Sequence, residues 1–325
     1  MEEVLEPGLP ICDPHHHLWD HPKHRYLLDE LLADTGSGHD VRSTVFVECL
    51  SMYRAVGPQA LKPVGETEFV NGIAAMSASG RYGPTRAAAG IVSFADLTLG
   101  AEVGAVLDAH RAASPRFRGI RHAAGWDASE AIRGSHTSPP PGLLADPRFR
   151  RGFAELARRR LTFDAWCYHP QIPEVADLAR AFPDTTIVLD HFGGPLGIGP
   201  YRDRRAEIFG WWRGAIKALA ACPNVVAKLG GLVMPLNGFG FHKRQEPVTS
   251  SELAEATREW YLHAIDCFGP ARCMFESNFP VDKVSTSYRV LWNSFKRITA
   301  TFSAADKAAL YHDTAVRVYG VRALE

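Results

Sequence analysis

The strongest constraint on the fold is an alternation of short β-branched runs with longer helix-like stretches along nearly the whole chain. Eight runs are predicted strands: Leu9–Pro14, Ser43–Cys49, Ala89–Phe94, Phe117–His122, Leu161–Cys167, Thr186–Asp190, Val225–Leu229 and Arg272–Glu276. The predicted helices are Gly65–Ser79, Gly100–Ala113, Pro147–Arg159, Ile172–Ala181, Arg205–Ala221, Ser250–Phe268, Thr286–Thr299 and Ser303–Tyr319. Eight βα units in 325 residues predict a (β/α)8 TIM barrel, formed as a single domain over residues 1–325.

A doubly wound open sheet is the alternative for this alternation. It would need a glycine fingerprint or a phosphate-binding loop after an early strand. The glycine pairs at 193–194 and 230–231 follow late strands and lack that spacing. Three loop-rich segments, 125–146, 193–204 and 234–249, each follow a predicted strand. We therefore expect extended loops on the rim at the carboxyl ends of the strands, where this fold carries its chemistry.

Charge and composition narrow the class of partner. Thirty-six basic and thirty-six acidic residues give a formal net charge of zero, which argues against a nucleic-acid partner. The first ten residues lack the apolar core of a signal peptide, and no apolar run reaches the roughly 18 residues of a membrane span. The six cysteines are scattered, which predicts reduced thiols rather than a disulfide framework or zinc ribbon. We expect a cytoplasmic protein without a membrane partner. The sequence does not fix the oligomeric state, and a homodimer is the candidate.

The densest chemical signal is the sequence DPHHH at the end of the first predicted strand. Alternation along a strand puts His15 and His17 on one face. Two imidazoles at this spacing can converge on a divalent metal or on a polarised carbonyl, although a histidine-rich run is also found as a plain surface feature. His191, which ends the sixth strand, and His169, which follows the fifth, are expected to join them.

The other histidines, at positions 21, 24, 39, 110, 136, 242, 263 and 312, lack a comparable setting and are interpreted as ordinary. His122, which ends the fourth predicted strand, is set apart as a residue of the pocket wall.

Five motifs in order resemble the amidohydrolase superfamily, and within it the branch that contains sugar lactonases and dicarboxylate lactonases. They are ICDPHHHLWD, FRGIRH, LDHFGGP, VVAKLGGL and MFESNFPVDK, and the resemblance covers nearly the whole chain. It implies a distorted (β/α)8 barrel that hydrolyses lactones or related carbonyl compounds at the carboxyl-end rim, although some relatives decarboxylate. By position it implies roles for His15, His17 and His191, and for Arg121 as a ligand of a substrate carboxylate.

The eighth strand departs from the family pattern. The family usually reads G-S-D-W-P there, with the aspartate as the base for the attacking water, whereas this chain has Asn278 at that position. An asparagine cannot accept a proton near neutral pH, although it donates hydrogen bonds or weakly ligates a metal. Glu48 and Glu276 are the candidates to replace the base, and each could instead form a salt bridge or a cap. Asp190 and Asp282 are weaker candidates, because a turn explains each of them.

The main mechanistic question is whether the site holds a metal ion or acts through its histidines alone. His15, His17, His191 and Glu48 could hold one Zn²⁺ or Mn²⁺ with an open position for water. The same histidines could instead polarise an ester carbonyl directly, without a metal. We expect one divalent ion.

The predicted substrate is a small, oxygen-rich and anionic molecule. A guanidinium at Arg121 would hold a carboxylate through two hydrogen bonds. Lys228 lies within a buried strand, where a lysine pairs with an acid or faces a polar cavity. We expect Lys228, Glu276, His122 and Tyr168 to complete the substrate pocket, with structural pairing or loop packing as their alternatives.

The sequence therefore favours a hydrolase that opens a lactone or a related cyclic ester with an activated water. The alternatives are a metal-dependent decarboxylase of an unsaturated or aromatic acid, and a binding protein that kept the barrel without the catalysis.

Overall fold

The computed structural model describes residues 2–22 and 24–321. Its strands are β1 (Pro10–His16), β2 (Trp19–His21), β3 (His24–Tyr26), β4 (Asp40–Val47), β5 (Arg86–Ser93), β6 (Phe117–Arg121), β7 (Thr162–Ala165), β8 (Ile187–Leu189), β9 (Val225–Leu229) and β10 (Cys273–Phe275). Its helices are α1 (Leu28–Thr35), α2 (Val64–Ala78), α3 (Val103–Ala113), α4 (Pro147–Arg158), α5 (Ile172–Ala181), α6 (Arg205–Ala220), α7 (Ser250–Phe268), α8 (Tyr288–Ile298), α9 (Ala304–Ala308) and α10 (Thr314–Tyr319).

Eight of these strands form one parallel sheet in the order β1-β4-β5-β6-β7-β8-β9-β10, which confirms the predicted (β/α)8 barrel. Backbone bonds beyond the end of β10 complete the ring. The Asn278 N–H donates to the His15 carbonyl at 2.9 Å, and the His17 N–H donates to the Phe279 carbonyl at 2.8 Å. The histidine motif of β1 therefore lies at the seam where the barrel closes.

Helix-capping residues mark several of the predicted boundaries. Asp146 accepts hydrogen bonds from two backbone N–H groups of the first turn of α4, and Pro147 occupies the first helical position. Thr249 and Glu252 form a reciprocal capping box at the start of α7. These local signals explain why the predicted starts of α4 and α7 agree with the structure. The predicted end of α7 also agrees, and α4 ends one residue earlier than predicted.

The segment between the first two barrel strands was not predicted. It contains the β2–β3 hairpin and α1, whose three-residue strands and eight-residue helix are too short for a clear periodicity. The last predicted helix is also interrupted, because a π-helical turn at Ala309–Asp313 separates α9 from α10.

Among the described residues, two apolar cores build the barrel and a third apolar cluster lies on its rim. The larger one lies between the strands and the surrounding helices. The smaller one fills the barrel interior with alternate strand residues and residues from the end of the chain: Cys12, Val45, Val47, Val92, Val188, Val226, Met274, Ala315, Tyr319 and Val321. All six cysteines are free. Throughout the described ranges, every helix falls short of the combined length and apolar character that a bilayer crossing demands.

Candidate active site

His15 and His17 face each other at the end of β1. Their Nε2 atoms are 3.3 Å apart, and both rings are buried. The His17 Nδ1 lies 2.7 Å from the Val47 carbonyl at the end of β4. Because a carbonyl only accepts, His17 carries its proton on Nδ1 and leaves the Nε2 lone pair free for a ligand. Burial, reinforced by the charge of Arg121, holds the pKa of His17 well below its usual range, so this ring is neutral.

Glu276, just beyond β10, contacts two further ring nitrogens. Its Oε1 accepts from His191 Nδ1 at 2.6 Å, and its Oε2 lies 2.9 Å from His15 Nδ1. Lys228 Nζ lies 3.2 Å from the same His15 Nδ1 in hydrogen-bonding geometry, whereas Glu276 Oε2 has no aligned hydrogen bond among the described residues. Burial, together with the charge of Lys228, keeps the pKa of His15 well below its usual range. Glu276 thus orients the ring of His191, and the ring of His15 lies between Glu276 and Lys228.

Gly231 provides the space that His191 needs. It adopts φ +64°, and a Cβ added there would lie 2.3 Å from His191 Nδ1. A larger residue would therefore push the ring away from Glu276. The packing of His191 thus explains the second glycine of VVAKLGGL, and the first glycine, Gly230, packs against Glu276.

Arg121, at the end of β6, is bound by Glu48. Its Nε donates to Glu48 Oε1 at 2.7 Å, and its Nη2 donates to the Glu48 carbonyl at 2.5 Å. His136 Nε2 lies 2.8 Å from the same carboxylate oxygen. Burial opposes ionisation of Glu48, but Arg121 and then His136 offset it and lower its pKa to about 2. Glu48 is therefore a fixed anion that orients an arginine and a histidine.

Lys228 lies deeper in the barrel and pairs with two aspartates. Its Nζ is 2.6 Å from Asp164 Oδ2 and 3.2 Å from Asp190 Oδ1. The Tyr319 hydroxyl, from α10, donates to the same Asp164 oxygen at 2.8 Å. Burial raises the pKa of Asp164 to about 6, although the ammonium of Lys228 opposes this shift. Lys228 is thus a buried, paired cation beneath the histidines.

The donor set fits a divalent cation. Two imidazole nitrogens on one tetrahedral zinc are about 3.3 Å apart, given bonds of about 2.0–2.1 Å, and the Nε2 atoms of His15 and His17 have this separation. Ligand atoms of His15, Asp190 and His191 also lie within 4.8 Å of one another. Within the described residues, neither oxygen of Asp190 accepts an aligned hydrogen bond.

The balance of buried charges also favours a divalent cation at this site. Four carboxylates, those of Glu48, Asp164, Asp190 and Glu276, share this network with only two fixed cations, Arg121 and Lys228. Buried charge without a partner is costly, so the two excess negative charges favour a bound divalent ion.

A cavity of about 570 Å³ opens beside the histidines. Sixteen residues line it: His17, Trp19, Cys49, Arg121, Ile132, Arg133, Gly134, Ser135, His136, Trp166, Tyr168, Ile198, Met234, Pro235, Leu236 and Val281. Most of them belong to loops that follow the barrel strands, as expected for the carboxyl-end rim. A carbonyl bound at His17 would therefore place the rest of its molecule among these loops.

Other predicted site residues lie elsewhere. His122 packs against Phe94 and Phe149, with its Nδ1 accepting from the Leu97 N–H. His169 packs against Tyr201 and Trp211. Within the described chain, neither histidine is among the residues that line the cavity.

Asn278 contributes to barrel closure through its backbone. Its side-chain Nδ2 is 3.3 Å from Asp282 Oδ1, and both residues are buried. In this arrangement the asparagine binds a neighbouring acid in the same loop. Burial raises the pKa of Asp282 well above its usual range, and the charge of Glu276 adds to the shift.

On the sequence alone, His136 is interpreted as ordinary and Asp190 as a weaker candidate, whereas the structure places His136 in the cavity wall and Asp190 beside His15 and His191. His136 lies within the loop 125–146, and nothing in its sequence spacing distinguishes it from the ordinary histidines. Asp190 is the carboxylate grouped with His15 and His191, whereas Glu48 is held by Arg121 and His136. The position of Asp190 at the end of a barrel strand was the available signal.

Comparison with known proteins finds one family model, described as Amidohydrolase, that matches residues 12–321. An uncharacterized protein of Sinorhizobium fredii is 34% identical over 96% of this chain and 99% of its own length. An L-fucono-1,5-lactonase of Burkholderia multivorans is 32% identical over 55% of this chain and 58% of its own length.

Solved structures agree with these sequence matches. Two crystal structures of an amidohydrolase from Burkholderia multivorans, one with bound HEPES and one with bound zinc, superpose with TM-scores of 0.72 and 0.70. Each is 25% identical and covers 95% of this chain and 99% of its own.

Proposed function

This chain belongs to the amidohydrolase family, and we propose that it opens a lactone ring by directing water onto the ring carbonyl. The observation that carries the proposal is the 3.3 Å pairing of the Nε2 atoms of His15 and His17 beside the cavity. The similarity to an L-fucono-1,5-lactonase supports a cyclic ester as the class of substrate.

His15 and His17, with Asp190 and His191 nearby, would hold a divalent ion. When bound, such an ion supplies Lewis-acid polarisation of the substrate carbonyl and favours ionisation of water. The protein contributes the orientation of these ligands: Val47 fixes the ring of His17, Glu276 fixes that of His191, and Lys228 contacts that of His15. The zinc in a structurally similar amidohydrolase supports this assignment.

His136 is the proposed base that replaces the missing aspartate of the eighth strand. It lines the cavity, its side chain retains 27% exposure, and Glu48 orients its ring. A histidine oriented by a buried carboxylate is a recurrent arrangement for proton transfer. Glu48 therefore acts through His136, because a carboxylate with a pKa of about 2 is itself a poor base.

The reaction follows from these positions. The water oxygen bonds to the carbonyl carbon while His136 accepts a water proton, and the negative charge develops on the carbonyl oxygen. The Arg121 Nη1, which lies 3.4 Å from His15 Nε2, is the nearby donor for this oxyanion. The bond from carbon to the ring oxygen then breaks, and protonated His136 returns its proton to the departing alkoxide. The product is one hydroxy acid.

The role we propose for Arg121 differs from the one expected from the sequence. Its Nε and Nη2 are already committed to Glu48, so it cannot hold a substrate carboxylate through that edge. We therefore propose that it stabilises the transition state and holds Glu48, while Lys228 neutralises the aspartates below.

A panel of sugar, dicarboxylate and aromatic lactones, followed by a pH indicator and by mass spectrometry, tests the proposal. Ring opening adds the mass of one water, whereas a decarboxylase would release CO₂. We expect His15→Ala to lower kcat by about 10²-fold or more while the circular dichroism spectrum is unchanged. Normal turnover by His15→Ala, or loss of CO₂ in place of ring opening, would refute the assignment.

A further inference from the structure

We infer that the substrate is a lactone with an aromatic or otherwise apolar body and one anionic group, and that Arg133 binds the anion. This inference rests on the proposed lactone hydrolysis and specifies the substrate class.

The cavity walls are mainly apolar. The residues that give them this character come from several loops: Ile132, Trp166, Tyr168, Ile198, Met234 and Leu236. Four of these, Ile132, Trp166, Tyr168 and Met234, are buried members of one hydrophobic cluster on the rim. Burying apolar substrate surface against such walls contributes about 25 cal/mol per Å².

Two indoles extend the apolar wall to the reacting groups. Trp19 stacks on His17, with ring centroids 5.8 Å apart and an interplanar angle of 16°. Trp166 packs edge-on against His191 at 4.9 Å. A carbonyl held at the histidines therefore has aromatic surface immediately around it, and a flat ring attached to that carbonyl would pack against these indoles.

The polar groups of the wall are too few for a polyhydroxylated ring. The Tyr168 hydroxyl donates to the Arg133 carbonyl at 2.6 Å, and the His136 ring is bound to Glu48. Two lining residues have polar groups without a hydrogen-bond partner among the described residues: the Ser135 hydroxyl and the Trp19 indole N–H. They can serve at most two oxygens of a ligand. The remaining hydroxyls of a sugar lactone would be desolvated against apolar side chains, which is unfavourable.

Arg133 is the cation available at the mouth of the cavity. Its side chain is exposed and lines the opening. Its backbone is anchored, since its carbonyl accepts the hydrogen bond from Tyr168. In the described part of the chain its guanidinium forms neither a side-chain hydrogen bond nor an ion pair, whereas that of Arg121 is bound to Glu48. A guanidinium in this position recognises a carboxylate or another oxyanion through paired N–H groups.

Three probes test the inference: dihydrocoumarin, its carboxylate-substituted derivative and D-glucono-1,5-lactone. We expect kcat/KM to be highest for the carboxylated aromatic lactone and lowest for the sugar lactone. Arg133→Gln should lower kcat/KM for the carboxylated compound by about 10- to 100-fold, with a much smaller effect on dihydrocoumarin. Arg81→Gln, an exposed arginine in the loop between α2 and β5, is the matched control and should change neither value.

Equal or better turnover of the sugar lactone, or equal effects of Arg133→Gln on charged and neutral lactones, would overturn the inference. Calorimetry of the binding of 3-phenylpropanoate and of gluconate distinguishes failure of this inference from failure of the proposed function. If no lactone is opened, the proposed function fails. Binding of 3-phenylpropanoate that Arg133→Gln abolishes would then still support the apolar, anionic ligand class, and equal or stronger binding of gluconate would refute it.

Discussion

His136 Nε2 lies 2.8 Å from Glu48 Oε1, although 88 residues separate the two in the chain. The loop that carries His136 is anchored on both sides of it, since the Ser135 N–H donates to the Gly125 carbonyl and the Thr137 hydroxyl donates to the Ala123 carbonyl. The contact joins the loop after β6 to the end of β4. It gives the cavity an oriented imidazole.

Removing this imidazole should slow the reaction. We expect His136→Ala to lower kcat by about 10²- to 10⁴-fold, the usual contribution of a positioned base, while the protein stays folded. Glu48→Gln should also lower kcat, because a glutamine cannot stabilise a protonated His136. Steady-state kinetics on the best lactone of the panel measures both effects.

His312→Ala is the matched control, because His312 Nδ1 contacts Asp313 Oδ1 at 2.8 Å in a histidine–carboxylate pair of the π-helical turn. It should leave kcat unchanged. If His136→Ala is as active as His312→Ala, His136 is not the base.

Glu276→Gln should weaken metal binding. A glutamine is a weaker acceptor for His191 Nδ1 and places an amide NH₂ group beside His15, so the ring of His191 is held less firmly. Loss of such a supporting contact typically costs about 10- to 100-fold in metal affinity. Zinc titration of chelator-treated protein, followed by competition with a chromophoric chelator, measures this. Unchanged zinc affinity in the variant would contradict the role of Glu276.

Gly231→Ala tests the packing of His191. The added Cβ would lie 2.3 Å from the His191 Nδ1, in a backbone conformation with φ +64° that alanine rarely adopts. We expect a large loss of kcat together with reduced stability in urea, since both the ring and the backbone must shift. Gly214→Ala, within α6, has open space around the added atom in the described structure and should be neutral or slightly stabilising. Full activity of Gly231→Ala would show that the ring of His191 need not be held where it lies.

Glu66 gives a pH-dependent prediction for stability. Burial, with the charge of Glu48 adding to it, raises the pKa of Glu66 to about 8. The unfolded chain releases this proton near pH 4.5 and the folded protein near pH 8, so this group makes the native state progressively less stable across that interval. Glu66→Gln keeps an oxygen for the Cys49 and Ser51 N–H groups and carries no proton to lose.

The difference in urea midpoint, Glu66→Gln minus the parent protein, should therefore increase from pH 5.5 to pH 8. Glu68→Gln, on the same helix, is the control, because a hydrogen bond to Arg54 lowers the pKa of Glu68. It should show no such rise. A constant difference for Glu66→Gln across this range would contradict the prediction.

Much of the fold could be predicted because its signals are local. Each strand of the barrel is a short β-branched run, and a parallel barrel repeats that signal eight times. The exact bounds of β9 and α7 were predicted from such runs and caps. The β2–β3 hairpin and α1 were missed, because short elements in a connecting segment take their stability from tertiary packing rather than from periodicity.

For the site too, features with a local sequence signal could be predicted and those that depend on distant contacts could not. Alternation along β1 placed His15 and His17 on one face, and the structure brings their Nε2 atoms together. The partners of Glu48 could not be read from the chain, because they depend on how the loop after β6 folds back across the rim. Loop conformation depends on contacts such as that between the Tyr168 hydroxyl and the Arg133 carbonyl, which join distant residues.

Hydrolysis in water enriched in ¹⁸O, followed by mass spectrometry of the product, tests the central claim most directly. Attack of water on a ring carbonyl predicts a hydroxy acid with one ¹⁸O in its new carboxylate, at a rate that His15→Ala and His136→Ala both reduce. A product that has lost CO₂ and carries no ¹⁸O, or ring opening that is unaffected by either variant, would contradict it.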